Sequence, residues 1–308
     1  MTDGDRFTPQ LTADGSFTFF SPEFGESFHS HFGARQEAQS KFVEPTQLAL
    51  KARSGIVRIL DVCYGLGYNS AAAFATIWAV NADCRIEWFG LESDRRVPEG
   101  AIAHHLLDPW GSAIVETLSQ LARDREIHTD RLDARLLLGD ARQTVNTVIG
   151  ANFQADAIFL DPFSPPQCPQ LWTVEFLHLL SRCLHPHGRL ATYSCAAAVR
   201  AALIAVGLSI GSTPPVGRKA PGTVASFSAI AESPLSPQER EHLQTRAAIP
   251  YRDRQLQDPA SEIIRRRQLE QQTCQLEPTS RWKKRWMLAS TAPDSAPNSP
   301  GKLDENLA

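Results

Sequence analysis

Short, continuous apolar runs alternate with stretches of helical composition through most of the chain. The runs fall at residues 56–62, 86–91, 136–138, 157–160 and 189–193, and two more follow at 208–212 and 223–230. A strand that is apolar at consecutive positions is buried on both faces, as in a parallel sheet covered by helices on each side. The segments 71–80, 114–123, 172–184 and 196–206 supply those helices. Seven strands with four or five crossovers predict one doubly wound, Rossmann-like α/β domain over residues 55–232.

The flanks follow other patterns. In the N-terminal extension, 1–54, residues 11–20 predict a hairpin turned at Asp14-Gly15, and 25–42 predict a helix that stops before Pro45. Beyond the sheet, 233–245 reads as a Pro/Ser/Glu linker, 258–273 as a basic helix, and the Trp282–Trp286 segment as the end of the ordered chain. Residues 233–290 thus form a basic helical appendage, and the Pro- and Ser-rich stretch 291–308 a disordered tail. The chain lacks an apolar run long enough to span a bilayer, and its start is polar and acidic. Six irregularly spaced cysteines, with no C-x-x-C pair, predict reduced thiols, no metal site and a cytoplasmic protein.

The net charge of −3 hides an asymmetry. Residues 1–232 hold 19 basic and 24 acidic side chains, whereas 246–286 hold ten basic against five acidic. Two readings of that basic segment stand: a solvated charged helix, or a contact for an anionic polymer, because phosphate binding follows clustered cations rather than net charge.

Candidate chemistry lies at the ends of the predicted strands. The loop Asp61-Val62-Cys63-Tyr64-Gly65-Leu66-Gly67-Tyr68-Asn69 joins the first strand to a helix, and its glycines allow backbone to approach a ligand at a helix N-terminus. Glu92 closes the second strand, where an acid can grip both hydroxyls of a ribose. Asp140 follows the third, placed for an adenine edge, and Asp161 follows the fourth. Each acid alone also suits a helix N-cap. As an ordered set they point into the crevice where open α/β sheets bind ligands. Four acids repel a pyrophosphate but suit the sulfonium of S-adenosylmethionine, which carries no phosphate.

Asp161-Pro162-Phe163-Ser164-Pro165, followed by Pro169-Gln170-Leu171-Trp172-Thr173, resembles the signature of the methyltransferase domain of MnmC-type tRNA wobble-uridine modification enzymes. Phe20-Ser21-Pro22-Glu23-Phe24-Gly25-Glu26, Phe89-Gly90-Leu91-Glu92, Gly139-Asp140, Gly188-Arg189-Leu190-Ala191-Thr192-Tyr193-Ser194 and Val216-Gly217-Arg218-Lys219 agree as well, so the resemblance covers residues 8–232. It implies a class I S-adenosylmethionine-dependent methyltransferase that methylates the amine of 5-aminomethyl-(2-thio)uridine at the wobble position of tRNA. Asp61, Gly65, Gly67, Asn69, Glu92, Asp140 and Asp161 would bind the cofactor. Asp161 would hold and deprotonate the amine, with Phe163 beside it in the methyl-transfer pocket and Trp172 helping to wall the base. Arg218, Lys219, Arg265, Arg266 and Arg267 would contact tRNA phosphates, and Glu26, His29 and Glu37 would close over the site. The bland alternatives are a core role for the two aromatics, a solvated loop for Arg218 and Lys219, and a surface or capping role for His29.

Two departures accompany the resemblance. Cys63 stands where many class I methyltransferases carry the first glycine of their loop. The residues after 232 are too few for the flavin oxidase domain of the family's two-domain members, which implies a stand-alone methyltransferase served by a separate upstream oxidase. A class I methyltransferase or aminopropyl transferase for a small amine would share the sheet and acids without needing the basic appendage. A dehydrogenase would need G-x-G-x-x-G, but position 70 is Ser. A non-catalytic RNA-binding module is disfavoured by the intact Asp161-Pro162-Phe163.

Overall fold

The computed structural model describes residues 7–216 and 220–291. Near the N-terminus β1 (Gln10–Leu11) and β2 (Phe17–Thr18) pair as the expected hairpin. A second hairpin, β3 (Phe20–Ser21) with β4 (Glu26–Ser27), overlaps the start of the helix predicted over 25–42. Gly25 turns it with a φ of 64°, and the Gly25 N–H donates to the Ser21 carbonyl at 2.9 Å. Helix begins only after Gly33, as α1 (Ala34–Glu37), and continues as a π-helical segment, Ala38–Val43. A Cβ on Gly33 would lie 2.3 Å from the Asp14 carboxylate, so the two N-terminal pieces dock through that glycine. A short helix, α2 (Leu48–Lys51), leads into the sheet.

The chain then runs β5 (Ile56–Val62), α3 (Tyr68–Val80), β6 (Arg85–Glu92), α4 (Arg96–Ala103), α5 (Ser112–Asp124), β7 (Glu126–His128) and β8 (Leu132–Leu138). It continues through α6 (Ala141–Gly150), β9 (Ala155–Leu160), α7 (Val174–Arg182), β10 (Leu184–Thr192), α8 (Ala197–Ala205), β11 (Ser209–Thr213) and β12 (Gly222–Ser226). The strand order is β11-β12-β10-β9-β5-β6-β8-β7. Its five inner strands, from β10 to β8, pair in parallel, while β12 pairs antiparallel with both β10 and β11, and β7 antiparallel with β8. The doubly wound fold is therefore as predicted, with one strand more than the seven expected. The additional strand, β7, has three residues and buries only Ile127, too little for an apolar run to reveal it.

Alternation along β5 divides the core. Val57 and Ile59 join one cluster with Phe42, Phe74 and Trp88, while Leu60 and Val62 join the other with Trp172, Phe176 and Ile158. The sheet is thus buried on both faces, as consecutive apolar positions require. The order reverses at β5, whose neighbours are β6 and β9, so the crevice lies beyond the carboxyl ends of these strands.

After the sheet come α9 (Pro237–His242), α10 (Ala260–Thr273) and α11 (Thr279–Thr291). Helix α9 lies within the stretch read as a linker; Ser236 and Glu239 form its capping box, and buried Arg200 pairs with Glu239 at 2.8 Å. Ile263 of α10 enters the second core cluster, and Trp282 of α11 stacks on His242 with ring centroids 4.3 Å apart. Among the described residues no helix is long and apolar enough to cross a membrane.

Candidate active site

The loop after β5 is held by backbone. The N–H groups of Cys63 and Tyr64 both donate to the Leu91 carbonyl at 3.0 Å, and the Gly65 N–H donates to Glu92 Oε2 at 2.8 Å. Gly67 caps α3 with a φ of 83°, and a Cβ there would sit 2.6 Å from the Tyr64 hydroxyl. Cys63 has a φ of 68°, so it adopts the left-handed conformation that glycine takes without strain.

The four strand-end acids differ in surroundings. Asp61 is fully buried; its Oδ2 accepts from the Ser70 hydroxyl at 2.6 Å, and Ser70 accepts from the Trp88 indole at 2.9 Å. Among the described residues Asp61 Oδ1 is buried without a partner, and burial pushes this carboxyl up to about 7 despite the Ser70 hydrogen bond, with Glu92 adding to the rise. Glu92 accepts the N–H of Asp94 at 2.8 Å as well as that of Gly65, and burial raises its pKa against those hydrogen bonds. Asp140 caps α6 by accepting the Arg142 N–H at 2.9 Å, and the Arg142 guanidinium lies 2.6 Å from its other oxygen. That carboxylate is engaged by Arg142, which continues to buried Asp253 at 2.9 Å. Asp161 accepts from the Asn69 side-chain amide at 2.8 Å.

Gly65, Glu92, Asp140, Asp161 and Phe163 line a cavity of 310 Å³, with Phe24 on its outer wall. Asp61, Gly67 and Asn69 are not in the wall; they support it from behind. Among the described residues the lining holds five carboxylates, those of Glu23, Glu92, Asp94, Asp140 and Asp161, and no Lys or Arg. Buried Gln170 Oε1, on a side chain of the same wall, has no partner among the described residues. This donor set suits a cationic, phosphate-free ligand rich in hydrogen-bond donors and opposes a pyrophosphate, so the residues present fit S-adenosylmethionine. Glu92 retains lone pairs for ribose hydroxyls beyond its two backbone donors.

The β3–β4 hairpin closes the site from above. Phe24 stacks on Phe163 at 4.3 Å and 17°, Phe28 meets Phe163 edge-on at 5.0 Å, and Glu26 accepts both the N–H and the hydroxyl of Ser164, at 2.9 and 2.5 Å. Sequence reasoning assigns no role to Phe24, Phe28 or Ser164, although Phe24 and Ser164 stand inside the motif stretches that could have pointed to them. Beyond Phe163 a second cavity, of 240 Å³, is lined by Glu26, His29 and Glu37 together with Asp161. Burial pushes His29 down to about 4, so its imidazole is neutral at neutral pH, and its Nδ1 has no partner among the described residues.

Other expected contacts need correction. Trp172 is fully buried and its indole N–H donates to the Phe163 carbonyl at 2.9 Å, so it braces the loop instead of walling a base. Arg267 points inward: it donates to the carbonyls of Ile249 and Ala247 at 2.6 and 3.0 Å and lies 4.6 Å over the Tyr251 ring. Arg266 is shared between Asp258 and Glu262, and Arg265 pairs with Glu262 at 2.7 Å. The three arginines are thus no common phosphate face. Arg218 and Lys219 lie outside the described residues. Arg254, Arg281, Lys283 and Lys284 are exposed and make no ion pair among the described residues.

A family model of S-adenosyl-L-methionine-dependent methyltransferases matches residues 102–228. Among solved structures, MnmC2 from Aquifex aeolicus superposes with a TM-score of 0.77 at 36% identity, covering 87% of this chain and 86% of that one. An uncharacterized protein of Methanocaldococcus jannaschii is 28% identical over 83% of this chain and 70% of its own length. The tRNA 5-methylaminomethyl-2-thiouridine biosynthesis bifunctional protein MnmC of Paracidovorax citrulli is 30% identical over 68% of this chain, which spans 34% of that relative's length. The acidic cavity at the switch point and these matches agree: the chain belongs to the MnmC2-type family of S-adenosylmethionine-dependent methyltransferases.

Proposed function

We propose that this chain transfers a methyl group to the primary amine of 5-aminomethyl-(2-thio)uridine at the wobble position of tRNA, giving the 5-methylaminomethyl base. The carrying observation is that Asp161 and Phe163 stand in the wall between the cofactor-sized cavity and a second acidic cavity. S-adenosylmethionine supplies an electrophilic methyl on a sulfonium. Glu92 and the Gly65 loop hold its ribose, Asp140 and Gln170 border the adenine, and the remaining acids offset its positive charge. Asp161, oriented by Asn69, accepts a proton from the substrate ammonium, which has no lone pair until it loses one. Acid–base help of this kind contributes about 10²–10⁴-fold, and fixed orientation of the reacting atoms adds to it. Phe163, backed by Phe24, offers a ring face to the splayed base.

The exposed cations Arg254, Arg281, Lys283 and Lys284 support an anionic polymer as substrate, with the tRNA backbone lying along the 246–286 segment. A cytoplasmic setting and an upstream oxidase that releases the aminomethyl group belong to the same reading. Mass spectrometry of wobble nucleosides in tRNA from cells lacking this protein tests it. Accumulation of the aminomethyl base with loss of the methylaminomethyl base is expected; an unchanged nucleoside profile overturns the reading.

A further inference from the structure

Asp140 lines the cofactor cavity, and the N-cap hydrogen bond from the Arg142 N–H reaches only its Oδ1. Its Oδ2 receives Arg142 Nη2 at 2.6 Å and Nε at 3.0 Å. The same guanidinium turns its third nitrogen to the C-terminal appendage, where Nη1 donates to Asp253 Oδ2 at 2.9 Å and to the Asp258 carbonyl at 3.0 Å. Side-chain exposure falls along this line, from 41% at Asp140 to 12% at Arg142 and 0% at Asp253. The buried end is itself anchored from two sides. The Asp253 N–H donates to Glu175 Oε2, in the first turn of α7, at 2.8 Å. From α10, Arg266 reaches the Arg252 carbonyl at 3.2 Å and Asp258 Oδ2 at 3.0 Å. An ion pair confined to the surface holds its side chains weakly. A planar guanidinium gripped at one edge by a buried carboxylate fixes the direction of its other edge. Asp140 is therefore oriented from the appendage, and a carboxylate has acceptor capacity beyond its Arg142 contacts for a further donor.

We propose that Arg142, anchored by Asp253, is a positioning residue that aims the Asp140 carboxylate at the 6-amino group of the cofactor's adenine. The proposal rests on the placement of adenine beside Asp140 in the reading above and deepens it, making selection of the base depend on the docked 249–258 segment. The appendage then serves the cofactor as well as the tRNA. Loss of the Asp253 anion frees the far edge of the guanidinium, and Asp140 keeps only its N-cap hydrogen bond as a fixed constraint. Recognition of the amino group should weaken, while the ribose and methionine contacts, which belong to other residues, stay as they are.

Calorimetry on the full-length protein tests this with two probes, S-adenosylhomocysteine and S-inosylhomocysteine, in which an oxo group replaces the 6-amino group. Wild-type protein should bind the adenosyl compound about tenfold more tightly, as a charge-assisted hydrogen bond warrants. Asp253→Asn should cut that preference to about threefold or less, with affinity for the inosyl compound unchanged. A merely structural role would lower both affinities by the same factor and leave their ratio as in the wild type; that result, or an intact preference, overturns the proposal. Should Asp253→Asn fail to fold, Arg142→Lys decides, because it keeps a cation beside Asp253 but has no fork to grip Asp140. Loss of the preference in that variant supports the proposal and its retention overturns it. The underlying placement fails differently. No preference in the wild type, or one that survives Asp140→Ala, removes the adenine from Asp140 and the proposal with it. A preference that depends on Asp140 but not on Asp253 or Arg142 keeps the placement and overturns only the positioning.

Discussion

The Gly65 N–H donates to Glu92 Oε2 at 2.8 Å, so the loop after β5 and the acid that closes β6 act as one unit. The other oxygen of Glu92 receives the Asp94 N–H at 2.8 Å. The carboxylate therefore shapes both rims of the cavity, in addition to any ribose contact it makes.

Glu92→Ala should consequently do two things. It removes the ribose acceptor and leaves two backbone donors without their partner, each costing about 1–3 kcal/mol if no water replaces it. Calorimetry should detect no S-adenosylmethionine binding, and the melting temperature should fall. Glu92→Gln keeps one acceptor oxygen and should retain most of the stability while losing affinity. Unchanged affinity in Glu92→Ala would remove this residue from the cofactor site.

Legibility in the sequence follows burial. Strand β5 is readable to its last residue because both of its faces are apolar, and with it come the ends where Asp61, Glu92 and Asp161 sit. Helix α4 is hidden by Pro98 and Gly100, which read as breakers although Pro98 occupies the first turn, where its missing N–H has no helical partner to lose. The start of the 25–42 segment reads falsely as helix because Gly25, Ser30 and Gly33 turn the chain before a helix can form. Charge is the least legible quantity. The consecutive arginines 265–267 project in different directions around α10, and nothing local shows that Arg267 ends on two carbonyls and the ring of Tyr251.

Those different directions give a paired prediction. Arg267→Ala strips hydrogen bonds from two carbonyls and a cation from a ring, so it should destabilise the protein by about 1–3 kcal/mol, measured by urea denaturation. Arg265→Ala should leave the denaturation midpoint almost unmoved, because its partner Glu262 is also on the surface. Equal effects from the two would contradict the inward placement of Arg267.

For tRNA, the exposed cations of α11 should matter more than those of α10. Replacing Arg281, Lys283 and Lys284 together by Ala should weaken binding and flatten the dependence of log K on log salt, by up to about 0.9 for each duplex phosphate that is no longer neutralised. Affinity for S-adenosylmethionine should not change. A salt slope identical to the wild type's would return α11 to the solvated surface.

Asp61 predicts a pH effect on stability. Its folded pKa of about 7 lies above the ordinary value of 3.8, so the native state holds this proton more tightly than the unfolded one. The stabilisation from that proton is complete below the ordinary value and is lost as pH rises towards 7. Asp61→Asn keeps an acceptor for Ser70 but carries no charge, so its stability relative to wild type should rise between pH 4 and 7 and then level off. Parallel denaturation-midpoint curves for the two proteins across that range would show that Asp61 is ionised without penalty.

The sharpest test concerns Asp161, which lines both cavities. Asp161→Asn preserves the size of the side chain and can still present a carbonyl oxygen to the Asn69 amide, but it loses the anion. Binding of S-adenosylmethionine should survive, since Glu92 and the Gly65 loop are intact. Methylation should fall by about two to four orders of magnitude, the usual span for losing an acid–base group. Raising the pH should then restore part of the rate, because a growing share of the substrate amine is neutral and no longer needs a proton acceptor. In the wild type the same rise in pH should bring a smaller gain. The pH series separates the two ways in which a carboxylate can act here. A slow variant with no recovery at high pH makes Asp161 a group that orients the amine without taking its proton. Near-native turnover at neutral pH would leave it as a brace for the loop after β9 and remove it from the chemistry.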